Sequence, residues 1–125
     1  MLSVGIDLVE IRNIEKSMKN PLFLQRVFGD KELDDLNSKT DRGKLQSAAA
    51  YFAAKEAFSK ALGTGIRGFK LSDVQVVHNS LGAPYFVFSN EAAVLATKKE
   101  FSLSITHTDN YAAAFVVANE RSDGK

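Results

Sequence analysis

The chain has 125 residues, 45% of them hydrophobic, with nine Phe, no Cys, and sixteen Lys plus Arg against fifteen Asp plus Glu for a formal charge of +1. That size suits one globular domain with one core. The near-neutral balance removes the broad basic field used in unspecific nucleic-acid binding, and the lack of cysteine removes disulfides, thiolate catalysis and Cys-ligated zinc. No apolar run approaches the ~20 residues needed to cross a bilayer, and no secretory segment opens the chain, so the expectation is a cytoplasmic protein without a membrane partner.

Residues 1–9 are apolar and β-branched apart from Ser3, Gly5 and Asp7, which predicts a first strand carrying those three on one face. Residues 10–19 predict a helix, stopped near Asn20 and Pro21 because proline disfavours helical geometry in the residue before it. A short helix over 22–28 follows, then one over 31–37 with Asp30 as its N-cap, then a polar loop at 38–43. The longest helix is expected over 44–62, with Gly63 as the left-handed residue just past its end and a glycine-rich connection to Gly68.

Beyond it, 71–78 and 84–88 predict two strands joined through Gly82, and 90–100 a helix. Phe101, Leu103 and Ile105 alternate with Ser102, Ser104 and Thr106, the pattern of a half-buried strand. After a turn at 108–110, residues 111–118 form a nearly continuous apolar strand that wants cover on both faces, and 119–125 read as a polar tail outside a single domain at 1–118. The class is α+β, a small mainly antiparallel sheet packed on one long helix and several shorter ones.

On the long helix, Tyr51, Ala53, Ala54, Ala57, Phe58, Ala61 and Leu62 fill one broad side, which is core. The remaining arc holds Lys55, Glu56, Ser59 and Lys60, with Phe52 in its middle. One reading is a surface Glu56–Lys60 pair worth about 0.2–0.5 kcal/mol beside a stray aromatic. The other is a charged site with an apolar wall, suited to a ligand that carries both phosphates and an apolar arm. Gly63, Gly65 and Gly68 formally satisfy G-x-G-x-x-G, but a dinucleotide loop opens a helix whereas this one leaves a helix, and no P-loop motif is present. His78 and His107 without cysteine make no zinc site, and His78 reads as structural.

Phe52-Ala53-Ala54-Lys55-Glu56-Ala57-Phe58-Ser59-Lys60 resembles the (F/W)-(A/S)-x-K-E-(A/S)-x-x-K motif of 4′-phosphopantetheinyl transferases, and Gly5-Ile6-Asp7 matches their first-strand G-x-D. Gly63-Thr64-Gly65, 104–108 and 111–114 extend the likeness over most of the chain, whose length is that of the short, one-lobed holo-acyl-carrier-protein synthase type. The resemblance implies transfer of 4′-phosphopantetheine from coenzyme A to a serine of apo acyl carrier protein, for fatty-acid biosynthesis. It implies Mg²⁺, or Mn²⁺, held by Asp7 and Glu56, with Asp7, Glu56 and Lys60 catalytic and Glu56 the candidate base. Without the family, Asp7 reads more readily as the end of a strand or as a cap for the helix near Glu10 than as a metal ligand.

Coenzyme A is expected at Lys60, Gly63, Gly65, His107 and Thr108, with Lys60 favoured over Lys55 for phosphate contact. Family members commonly carry Arg where this chain has Tyr51, so Arg42 and Lys44 are the nearest replacements for the 3′-phosphate. Arg12, Lys16 and Arg26, with Phe52, are the expected docking surface for an acidic carrier protein. Short members form homotrimers with sites at subunit interfaces, which the resemblance extends to this chain. The alternative is a non-catalytic coenzyme A or nucleotide-binding oligomeric α+β module, distinguished by the absence of transfer.

Overall fold

The structure, a computed structural model, describes residues 1–65 and 67–121. Ile66 in the glycine-rich connection and residues 122–125 of the expected tail lie outside the described residues. The elements are β1 (Ser3–Glu10), α1 (Ile11–Ser17), α2 (Pro21–Val27), α3 (Asp30–Asn37), α4 (Asp41–Leu62), a 3₁₀ turn (Leu71–Asp73), β2 (Val74–His78), β3 (Pro84–Phe88), α5 (Asn90–Ala96), β4 (Lys99–His107) and β5 (Tyr111–Glu120). The class is α+β, as the pattern predicts.

Two antiparallel sheets form rather than one, a three-stranded sheet in the order β1-β5-β4 and the β2-β3 hairpin. In the first, Asp7 stands opposite Ala114 and Ala114 opposite Ile105. Helix α4 lies on one face, where its Ala53, Ala57 and Ala61 join Ala112, Ala114, Val116 and Ala118 of β5 in the core. Small side chains on both surfaces bring the backbones close. At Gly5 the approach is closest, since a Cβ there would stand 1.9 Å from the Ala57 carbonyl oxygen. Ser3, two residues earlier on the same face, donates its hydroxyl to the Ala61 carbonyl at 2.6 Å. Phe58, from another side of α4, gathers Phe69, Phe86, Phe88 and Phe101 at centroid distances of 4.9–5.5 Å and so binds the hairpin to the helix.

Several boundaries differ from expectation for identifiable reasons. Thr40 accepts the Gly43 amide and caps α4, which therefore begins three residues earlier and takes Arg42 out of the predicted loop. Gly29, not Asp30, is the N-cap of α3, and the Glu32 side chain accepts the Gly29 amide at 3.1 Å. Helix α5 stops at Ala96, because Lys99 and Glu100 already pair with Glu120 and Asn119. That pairing also carries β5 two residues into the stretch read as tail.

The expectation of cover on both faces of 111–118 is half met. Helix α4 buries Ala112, Ala114, Val116 and Ala118, while the opposite face of the sheet leaves Val4, Ile6, Leu8 and Phe115 at 56%, 64%, 66% and 42% exposure. No helix of the described residues is long and apolar enough to cross a membrane.

Candidate active site

Strand β1 and helix α4 bring the two sequence motifs together. Asp7 follows Gly5 by two residues, so the contact that presses Gly5 onto Ala57 also presents the Asp7 carboxylate beside the next turns of α4. Lys60 reaches back from the last turn of α4, its Nζ 3.3 Å from Asp7 Oδ1 and donating to the Ile6 carbonyl at 2.9 Å. Its described ion pair is thus with Asp7 across elements, not the i,i+4 surface pair with Glu56.

Glu56 and Asp7 line one cleft of about 380 Å³, walled by Phe52 and Phe23 and edged by Asn13 and Ser17 of α1. Burial raises the Glu56 carboxyl above its ordinary value and the charge of Asp7 raises it further, with Lys60 pulling the other way. Two carboxylates lining one cleft, with the charge of Asp7 disfavouring that of Glu56, suit a hard divalent cation. Such an ion takes one or two protein carboxylates and completes its octahedron with phosphate oxygens and water. Among the described residues no group of three or more metal-ligating side chains occurs, so the rest of such a shell would come from substrate and solvent.

The polar arc expected on α4 needs correction at Lys55 and Ser59. Both are buried: Lys55 pairs with Glu32 at 2.7 Å, and the Ser59 hydroxyl donates to the Glu56 carbonyl at 2.6 Å. Only Phe52, Glu56 and Lys60 of that arc reach the surface. Sequence reasoning missed Phe23, whose ring lies 6.0 Å from Phe52. The single signal for it was the motif phenylalanine itself, which on a polar arc requires an apolar neighbour.

The remaining expected residues fall elsewhere. Gly63 and Gly65 have φ of 88° and 66° and open space where a side chain would stand, so the chain there is free for close approach by a ligand. His107 ends β4 and lines a separate hollow of about 250 Å³ with Tyr51, His78, Lys39 and Ser47. The Thr108 hydroxyl accepts the amides of Asn110 and Tyr111 and so builds the β4–β5 turn. Arg42 donates to Asp109 Oδ1 of that turn at 2.7 Å, and Lys44 to Asn37 Oδ1 at 3.3 Å. Tyr51 is buried and its hydroxyl donates to Asp35, so it turns away from solvent. His78 stands against the Tyr51 ring at 6.1 Å. Arg12, Lys16 and Arg26 are exposed on α1 and α2, Arg12 next to Glu10 at 3.4 Å. The hollow of His107 and the cleft of Asp7 and Glu56 share no lining residue.

Comparison with known proteins gives one consistent answer. The sequence profile of the 4′-phosphopantetheinyl transferase superfamily matches residues 3–116. A holo-[acyl-carrier-protein] synthase of Thermoanaerobacter sp. strain X514 is 42% identical over 128 residues, covering 98% of this chain and 91% of the relative. The crystal structure of the Neisseria meningitidis holo-[acyl-carrier-protein] synthase superposes with a TM-score of 0.86 at 31% identity, over 94% of this chain and 98% of that one. A Bacillus anthracis holo-(acyl-carrier-protein) synthase in complex with CoA (3′,5′-ADP) gives 0.83 at 31% identity, over 95% and 96%.

Proposed function

The chain belongs to the 4′-phosphopantetheinyl transferase superfamily, and we infer that it transfers 4′-phosphopantetheine from coenzyme A to a serine of apo acyl carrier protein, releasing 3′,5′-ADP, for fatty-acid biosynthesis in the cytoplasm. The observation that carries the reading is the convergence of Asp7, from the first-strand motif, and Glu56, from the helix motif, on one cleft with a Phe52–Phe23 wall. The Lys60 ammonium addresses the pyrophosphate directly, the carboxylates would do so through a divalent cation they hold, and the aromatic wall addresses apolar surface of the carrier or of the pantetheine arm.

In the reaction the serine hydroxyl attacks the β-phosphorus, and the bond from that phosphorus to the bridging oxygen of 3′,5′-ADP breaks. Lys60 sets a positive charge beside the pyrophosphate. Glu56, which lines the cleft beside Asp7, is the candidate base for the serine proton. Asp7 and Glu56 would hold Mg²⁺ or Mn²⁺, which when bound offsets the charge developing on the pyrophosphate.

Gly63, Gly65, His107, Thr108, Arg42 and Lys44 are proposed to receive the nucleotide end, with Arg12, Lys16, Arg26 and Phe52 docking the carrier. The separation of the His107 hollow from the Asp7–Glu56 cleft, and the uncovered apolar sheet face, support a homotrimer in which one chain's carboxylates work with a neighbour's nucleotide-binding residues. Each chain is proposed to act as one transferase domain.

The test is to incubate the protein with Mg²⁺, coenzyme A and an apo carrier protein and weigh the carrier by mass spectrometry. Phosphopantetheine is expected on the carrier serine, and Glu56→Ala should slow transfer by about 100-fold or more. No transfer to any of several carriers would leave only a binding module.

A further inference from the structure

The lysine that precedes Glu56 stands outside the cleft. Lys55 is fully buried, and its three ammonium protons have three acceptors: Glu32 Oε1 at 2.7 Å, the Leu71 carbonyl at 3.0 Å and the Val74 carbonyl. Glu32, equally buried, also accepts the Gly29 amide at 3.1 Å and the Val76 amide at 2.8 Å. Gln75 closes the corner, its Oε1 accepting the amides of Lys31 and Glu32, and a Cβ on Gly29 would lie 2.2 Å from its side chain. One turn of α4 is thereby tied to the α2–α3 corner, the 3₁₀ turn and β2.

Burial works against both charges, pushing Glu32 up and Lys55 down, while their mutual attraction opposes it. A buried ion pair of this kind is a weak source of stability, since well-packed apolar residues of similar volume often do as well or better. Its geometry points instead to placement. The Phe28 ring, next to Gly29, lies 5.9 Å from Lys55 Nζ and meets Phe23 edge-on at 6.0 Å. Phe23 meets Phe52 at 6.0 Å, and these two rings are the apolar wall of the cleft.

We infer that Lys55 and Glu32 are positioning residues for the transfer site, fixing the α2–α3 corner and, through Phe28 and Phe23, the aromatic wall that faces Asp7 and Glu56. The inference rests on that cleft being the transfer site. Its physical content is that Phe23 stands on a short helix of seven residues, which packing at the corner must hold in place.

A double-mutant cycle on kcat/KM tests it, using the full chain with Mg²⁺, coenzyme A and apo carrier at a temperature where urea titration shows every variant folded. Lys55→Met and Phe23→Leu should each lower kcat/KM by about tenfold, and the double variant should be no worse than the poorer single one by more than about twofold. Losses that multiply, or wild-type kcat/KM in folded Lys55→Met, overturn the inference, because a purely structural hub does not couple to the wall. Where Lys55→Met does not fold, Glu32→Gln takes its place, keeping the side-chain shape and one acceptor. Glu56→Ala is run alongside. If it retains transfer, the cleft is not the site and both readings fall; if it loses transfer while the cycle is multiplicative, positioning alone falls.

Discussion

At the scale of single residues, Glu56 shows how the site is set against the fold. Its carboxyl binds a proton more tightly in the folded chain than in the unfolded one, by burial first and then by the Asp7 charge. The folded state therefore carries more proton between the ordinary glutamate value and the raised one, and stability falls as pH rises through that window. Above it, the ionised side chain is a constant cost. In metal-free protein, Glu56→Gln is expected to melt higher than the parent at pH 7.5 by calorimetry, the difference vanishing below about pH 4 where both carry a neutral side chain. An unchanged melting point at pH 7.5 would contradict it. Glu56 and Lys60 were legible from the motif, but Lys55 was not. Helical spacing places it at the edge of the polar arc, and only the approach of α3 and β2, carrying Glu32 and the Val74 carbonyl, closes that edge off from water.

At the scale of elements, the site depends on how closely β1 lies on α4. Local pattern put Ser3, Gly5 and Asp7 on one strand face, and the structure supplies the reason that the middle one is glycine: any Cβ would meet helix backbone, which cannot rotate aside. Gly5→Ala is expected to destabilise the chain by about 3 kcal/mol or more in urea titration, because two regular elements must part to admit one methyl group. The same parting draws Asp7 away from Lys60, so transfer should fall even where the variant remains folded. Full activity in Gly5→Ala would show that the close crossing is not needed to place Asp7. Boundaries were the less legible part of the elements. The start of α4 follows from the Thr40 cap and the end of α5 from pairing with β5, and the second is a contact distant in sequence.

At the scale of the whole molecule, the uncovered sheet face and the separated hollows bear on one question, whether a chain works alone. Val4, Ile6, Leu8 and Phe115 form an apolar surface of the kind that marks association. If a neighbour's His107 completes the site of Asp7 and Glu56, then Glu56→Ala and His107→Ala, each poor alone, should regain activity on mixing with subunit exchange, while Ile6→Lys should yield monomers by light scattering and lose transfer. Mixed variants that stay as poor as their parents would show that each chain builds its own site. The sequence by itself determined the class, the core side of α4 and the family, and it singled out Asp7, Glu56 and Lys60 as the candidate site residues. It could do so because helix periodicity, strand alternation and a nine-residue motif are local signals. Only the tertiary structure decided that Lys55 is a buried anchor, that Phe23 joins Phe52 as a wall, that Tyr51 turns to Asp35, and that His107 stands apart from Glu56. Each of those rests on a contact between residues far apart in the chain, and periodicity tells which way a side chain points without telling what will meet it there.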